Sequence, residues 1–353
     1  MDFAVSEEEQ AISDLAAQIL SDKVGHERLR AMSAADEHLD GDLWQILADA
    51  GIVGAALPEE YGGAGLGFLA VTAALEQVGE HAALVPFTES VVMAGLPIAE
   101  FGTEEQRAAH LGSMADATLI ATAALVAGEG FRAGNGRVTG SAPGVPFGLE
   151  AALMLVPTDE GVYLIDPRAD GVSRTAQPTT SGHPQALVAL DEAAGERLGS
   201  ASTDEIVRWT RLRIDSAICS TLAGVCNASL TLAADYAKVR HQFDRAIATF
   251  QAVSQRAGDA YIDTEAVNLT SKQAAWRIAA GLDADEQVAI ARWWSAEAGF
   301  RVVHAATHLH GGVGVDRDYP LHRYFLTARQ LELTLGNSEE QLERLGVLIA
   351  DRA

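Results

Sequence analysis

The stretch at residues 236–253, YAKVRHQFDRAIATFQAV, decides the fold. It closes one long helical pattern and opens another. Between the two, Lys238, Arg240 and Arg245 gather beside His241, Phe243 and Phe250. The surrounding chain is acidic, with 49 Asp+Glu against 25 Lys+Arg and a formal charge of −24. A cationic, aromatic knot in such a chain suits a dinucleotide. A guanidinium offers forked donors to a pyrophosphate, a phenylalanine an apolar wall, and the amides of Gln242 and Gln251 further hydrogen bonds. Taken by itself the stretch reads slightly better as an ordinary helix–helix corner with solvated charges, so its neighbours must decide.

The net charge argues against non-specific nucleic-acid or anionic-membrane binding, because both need a basic surface. No apolar run approaches the ~20 residues that span a bilayer. The start, MDFAVSEEEQ, is acidic and lacks the basic-then-apolar pattern of a secretory signal. The sequons at Asn227 and Asn268 are therefore expected to be accidental, and a cytoplasmic location is expected. Cys219 and Cys226, seven apart on one face of a predicted helix, read as two small buried hydrophobes rather than metal ligands or a redox pair. No metal is expected.

Three blocks follow along the chain: an α+β protein, mostly α. Residues 1–115 read as a helical domain. Ser6 with Glu9 makes a capping-box pattern, a second helix centres on LWQILADA, and GGAGLG reads as a loop, since it lacks a P-loop ending. Residues 116–202 read as a small β-domain, with strands at ALMLV, GVYLI and ALVAL and a hairpin at Asn135-Gly136. Residues 203–353 read as an antiparallel helix bundle. Ser202 with Glu205 predicts a capping box opening a helix to about Val239; another follows the knot, a third runs from about Asp285 to His310, and Asn337 caps the last.

With the knot in that order, residues 306–329, ATHLHGGVGVDRDYPLHRYFLTAR, carry a resemblance. The two stretches are similar to the C-terminal domain of the acyl-CoA dehydrogenases: Arg-x-x-Phe-Gly with a later Phe-Gln, then a helix ending in Gly-Gly-x-Gly, then Pro and a basic dipeptide. PEEYGGAGLG resembles a turn of that family's N-terminal helical domain, and LMLVPTDEGVYLIDPRADGV the second half of its β-domain. The resemblance covers nearly the whole chain in order, and implies FAD as cofactor and an acyl-CoA as substrate. It places Arg240, Gln242 and Phe243 against the FAD diphosphate and ADP portion, with Gln251 nearby. It sets His308, Leu309, His310, Gly311 and Gly312 at the adenosine end. In that family these groups serve a flavin held by the neighbouring subunit. As metal ligands His308 and His310 are poor, because their i, i+2 spacing puts them on different helix faces.

The resemblance breaks where the chemistry lies. The family's reaction needs a glutamate base at the substrate α-carbon. Where its Tyr-Glu-Gly-Thr loop stands, this chain has Thr334-Leu335-Gly336-Asn337, and Leu335 cannot accept a proton. The alternative base position, on the first helix of the C-terminal domain, falls at about Ile214. Asp215 is next door but about 100° around the helix, which leaves it a weak candidate. Glu332, Glu339 and Glu340 read as solvated or helix-N-terminal charges. The Thr-Glu…Gly-Ser-Asp segment that lines the flavin ring has no counterpart in ATAALVAGEGFRAGNGRVTGSAPGVPFG, and the β-domain is shortened there.

The chain thus resembles the smaller, degenerate subunit of the actinobacterial heterotetrameric (α2β2) steroid side-chain acyl-CoA dehydrogenases. That likeness implies a larger partner subunit supplying the ring pocket and the base, an electron-transfer acceptor, and a chain inactive by itself. Two other expectations stand beside it: a self-sufficient homo-oligomeric dehydrogenase using Asp215 or a nearby glutamate, and a non-enzymatic scaffold.

Overall fold

The structure, a computed structural model, describes residues 6–125 and 130–351. The N-terminal block holds α1 (Glu7–Lys23), α2 (His26–Ala34), α3 (Gly41–Asp49) and α4 (Phe68–Glu80), then α5 (Leu96–Phe101) and α6 (Glu104–Ala115). The Ser6–Glu9 capping box forms in both directions. Just before α5 the chain makes a wider π-helical turn over Thr88–Gly95. Pro97 follows it and has no N–H to give to the preceding turn, the kind of interruption that such widening accommodates.

Strands β1 (Ala121–Ala123), β2 (Gly130–Gly134), β3 (Arg137–Pro146), β4 (Leu153–Pro157), β5 (Val162–Ile165), β6 (Val172–Gln177) and β7 (Gln185–Arg197) form one sheet ordered β1-β4-β5-β7-β3-β2, with β6 also on β7. Asn135 and Gly136 turn the β2–β3 hairpin at φ 52° and 74°, as a type I′ turn requires. Part of the shortened segment that lacks the ring-binding motif, residues 126–129, lies outside the described residues.

The C-terminal block is α7 (Thr203–Val239), a hairpin of β8 (His241–Gln242) and β9 (Arg245–Ala246), α8 (Gln251–Ala279), α9 (Asp285–His310), α10 (Leu321–Leu333) and α11 (Ser338–Ala350). Asn337 caps α11 through the Glu340 N–H at 3.1 Å. The expected Ser202–Glu205 box is only half made: the Ser202 hydroxyl accepts from the Glu205 N–H at 3.2 Å, and Glu205 does not reach back.

Helix α7 is long and apolar enough to cross a membrane by length and composition. It lies between α4, α8 and α9, however, and 61% of its most apolar window is buried, as befits the central helix of a bundle. It meets α4 at backbone distance. A Cβ on Gly79 would stand 2.0 Å from the Thr221 carbonyl oxygen, and one on Gly224 would stand 1.9 Å from that of Glu76. This close crossing fixes the wall of a chamber described below. The two sequon asparagines sit within helices, Asn268 donating to Asn227 at 3.0 Å, so neither is on a free loop. Cys219 and Cys226 are fully buried, and burial pushes their thiols up to about 11 and about 12. Both are expected to stay unmodified by a thiol-reactive disulfide reagent at pH 8 in the native protein and to react together on denaturation. Rapid native labelling would contradict that burial.

Candidate functional site

The knot is a β-hairpin corner. Phe243 and Asp244 form its two-residue turn at φ 52° and 62°, so Asp244 holds a left-handed position where the resembling pattern has glycine. The Arg245 guanidinium lies 4.0 Å over the Phe250 ring, and Phe243 meets the same ring edge-on at 6.2 Å. Arg245 is thereby held within the corner. Arg240 is different: it is exposed at the end of α7, and among the described residues its side chain has no hydrogen-bond or ion-pair partner. Gln251 opens α8 and is exposed; Gln242 donates only to the neighbouring His241 carbonyl at 2.7 Å. Phe243 is 87% exposed, a large apolar face that among the described residues meets only the edge-on ring of Phe250.

The end of α9 joins the same surface. Leu309 packs with Ala233 of α7 and Val253 of α8, so the three helix ends carrying the predicted residues meet. His308 is exposed and His310 buried. The His310 ring stacks on Tyr236 at 4.4 Å, bonds the Ala306 carbonyl at 2.8 Å and meets the Tyr319 hydroxyl at 3.1 Å. Burial lowers its pKa. His310 therefore supports the helix end from within, and only backbone at that point can meet a ligand. Gly311 turns the chain at φ 61°, and a Cβ on Gly311 or Gly312 would touch nothing, so the backbone there is open to close approach. An unpaired arginine, an exposed ring, exposed amides and open glycine backbone fit the ADP portion of a flavin.

The expected base position lies elsewhere. Leu335, at φ 58°, lines a chamber of about 350 Å³ with Val78 of α4, Met93 of the π-turn, Phe147 and Ile218 of α7. Glu89 and His183 also line it, paired at 3.3 Å. The loop bearing Leu335 is clamped by arginines. Arg292, fully buried, donates to the carbonyls of Thr334 at 2.8 Å and Gly336 at 3.1 Å, and Arg211 donates to that of Leu335. These carbonyls follow the end of α10, where helix acceptors lack partners and cations are favoured.

Asp215 holds the arginines. Its carboxylate bonds Arg211 at 3.0 Å and Arg344 at 3.1 Å. Arg292 Nε stands 3.3 Å from its other oxygen, an ion-pair contact without hydrogen-bond alignment. Asp215 is fully buried and is not among the residues lining the chamber. Its geometry is that of a counter-ion: one oxygen accepts from two guanidinium groups, and the other faces a third without a hydrogen bond. Of the flanking glutamates, Glu332 is not solvated as the sequence suggests: it is half-buried on Arg329, and burial raises its pKa. Glu339 and Glu340 lie in the first turn of α11.

Sequence reasoning missed Arg292, Glu89 and His183. Two of them left a trace: Arg292 is a lone cation in VAIARWW, and Glu89 a lone acid in VPFTESVVMAG. No group of three or more potential metal ligands occurs among the described residues.

The acyl-CoA dehydrogenase N-terminal domain matches residues 6–118 and the C-terminal domain residues 209–348. The chain belongs to the acyl-CoA dehydrogenase family. It is 39% identical to the acyl-CoA dehydrogenase FadE27 of Mycobacterium tuberculosis over 99% of both chains. It is 29% identical to FadE28 of the same organism over 98% of both. Among solved structures, a chain of the ChsE4-ChsE5 complex from Mycobacterium tuberculosis superposes with TM-score 0.95 at 38% identity over 99% of both chains. A chain of the Tcur3481-Tcur3483 steroid ACAD G363A variant superposes with TM-score 0.91 at 38% identity over 98% of both.

Proposed function

We propose that this chain is one subunit of a heteromeric acyl-CoA dehydrogenase and supplies the ADP and diphosphate side of an FAD site that a larger subunit completes. One observation carries the reading. Arg211, beside the Leu335 loop, and Arg240, at the knot, stand at two ends of α7, about 40 Å apart at 1.5 Å per residue. The groups suited to a dinucleotide thus lie far from this chain's own chamber, and that chamber presents Leu335 where a base would stand. The knot serves another chain's active site.

In that assembly Arg240 donates to the diphosphate, Phe243 covers the ADP portion, and the Gly311–Gly312 backbone meets the adenosine end, with Gln242, Gln251 and His308 close by. Bound FAD supplies a two-electron acceptor for the hydride of the substrate β-carbon. The carboxylate that takes the α-proton belongs to the larger subunit. An α2β2 arrangement, a steroid side-chain CoA thioester as substrate and an electron-transfer protein as acceptor complete the proposal. Support for heteromery and substrate comes from the likeness to chains of the ChsE4-ChsE5 complex and of a steroid acyl-CoA dehydrogenase.

Flavin stoichiometry by visible absorbance tests it, on the chain purified alone and co-expressed with a larger homologue that keeps the glutamate. The expected result is no flavin alone and about one per heterodimer. About one flavin per chain alone would overturn the shared site and favour a homo-oligomer.

A further inference from the structure

The segment that leads from Gly311 to α10 has the open glycine backbone at its start. Three imidazole rings close on two adjacent residues near its end, Asp318 and Tyr319. His26, at the start of α2, bonds the Asp318 carbonyl at 2.8 Å. His322, in the first turn of α10, bonds the Tyr319 carbonyl at 2.6 Å. His310, at the end of α9, meets the Tyr319 hydroxyl at 3.1 Å while it bonds the Ala306 carbonyl. A carbonyl only accepts, so each ring nitrogen that faces one carries the proton. In neutral His310 this leaves Nε2 as the acceptor, and Tyr319 donates to it.

The rings come from distant parts of the chain, α2 in the N-terminal block and α9 and α10 in the bundle. The segment's own bonds are local: the Asp316 N–H reaches the Val313 carbonyl at 3.2 Å, and the Tyr319 N–H the Asp316 carbonyl at 3.1 Å. Among the described residues, the polar ties from the Asp318–Tyr319 turn to other elements are the three rings and an Arg30–Asp318 ion pair at 3.1 Å. That pair is exposed on both sides and contributes little.

Two of the rings are held neutral. Burial lowers the pKa of His310 and of His322. Tyr236 and Tyr319 stand around His310, and Asp235, next to Tyr236 in α7, is paired with Lys238 at 2.9 Å. After burial, Arg323, Arg317 and His26 oppose a proton on His322. The carboxylates of the turn and of the adjoining recess are Asp318, on Arg30, Asp316, on the Asp318 N–H, and exposed Asp36, 3.1 Å from His38. Opening of the segment gives both rings to water, where they take protons near the ordinary 6.5. The closed form thus has its full advantage above that value and loses it as pH falls from there toward the depressed values.

We propose that His26, His310 and His322 are positioning residues that latch the Asp318–Tyr319 turn and, through it, hold the Gly311–Gly312 backbone in the shape that receives the cofactor. Acid releases the latch. The cofactor half of this statement rests on the shared-site reading above; the latch itself does not.

Hydrogen exchange on the full chain at pH 7.5 and 5.5, followed by mass spectrometry and corrected for intrinsic rates, tests the latch. Residues 311–320 are expected to exchange about threefold to tenfold faster at pH 5.5, with β7 unchanged as the reference. His26→Ala and His310→Phe should each raise exchange there at pH 7.5 by about the same factor, the worth of one neutral hydrogen bond. Circular dichroism verifies folding, and His26→Ala serves if His310→Phe does not fold. His322→Asn places an amide donor where Nδ1 stands and does not titrate. Protection at pH 7.5 should therefore stay while the acid response shrinks, a split that a merely structural contact does not give. Exchange indifferent to pH or to the variants, or an undiminished acid response in His322→Asn, would overturn the proposal. In the co-expressed complex, flavin content should fall at pH 5.5 and in His310→Phe. Segment opening without flavin loss would overturn the positioning role. A wild-type complex devoid of flavin at pH 7.5 would instead overturn the shared site, and with it the cofactor half alone, since the exchange data decide the latch.

Discussion

Asp215→Asn is expected to lower the unfolding free energy by about 3–5 kcal/mol, the usual cost of removing one partner from a buried ion pair. The substitution keeps size and shape and removes only the charge. Arg292, fully buried, then loses the carboxylate 3.3 Å away, while Arg211 and Arg344 lose their hydrogen bonds to it. Arg344 retains Asp285 at 3.4 Å, so the damage concentrates on Arg211 and Arg292, the two arginines that clamp the Leu335 loop. Urea unfolding followed by tryptophan fluorescence gives the shift, with Glu332→Gln as a comparison in which one half-buried pair is lost. A base acting on substrate behaves differently: its amide variant keeps the midpoint and loses turnover. An unchanged midpoint would therefore return Asp215 to consideration as a catalytic group.

Arg240→Ala should lower the flavin content of the co-purified heteromer by about tenfold or more. A hydrogen bond to a charged group is worth about 1.5–3 kcal/mol, and each 1.4 kcal/mol is a factor of ten in affinity. Arg240 is exposed and unpaired in this chain, so the loss comes without a change in folding. Arg245→Ala supplies the contrast, since its guanidinium already rests on Phe250 and its removal should act mainly on the hairpin. Flavin content unaffected by Arg240→Ala would favour a scaffold that merely keeps the fold.

The elements were legible wherever the determinant is local. Ser6, Asn135-Gly136 and Asn337 act within a few residues, and each does what its pattern predicts. Ser202 shows the limit: the motif is present, yet Glu205 does not complete the box. The π-turn at Thr88–Gly95 has only Pro97 beyond it as a cue, no capping or turn motif, and with it Glu89 escaped notice. Of the proposed cofactor surface, the sequence indicated Arg240, Phe243, Gln251 and the glycine pair; it could not separate His308 from His310 beyond assigning them different faces. Only packing against Tyr236 and Tyr319 shows that His310 is occupied internally.

By itself the sequence determined the helical–β–helical order, the cationic knot and the absence of a glutamate at Leu335, because each is written in residues close together in the chain. Tertiary structure decided what those residues are free to do. It set the knot about 40 Å along α7 from Leu335, left Arg240 unpaired, and buried Asp215 among arginines from α7, α9 and α11. The reason is physical: a charge far along the chain, brought within 3–4 Å, changes a carboxylate from a reactive group into a counter-ion, and residue spacing carries no record of that approach.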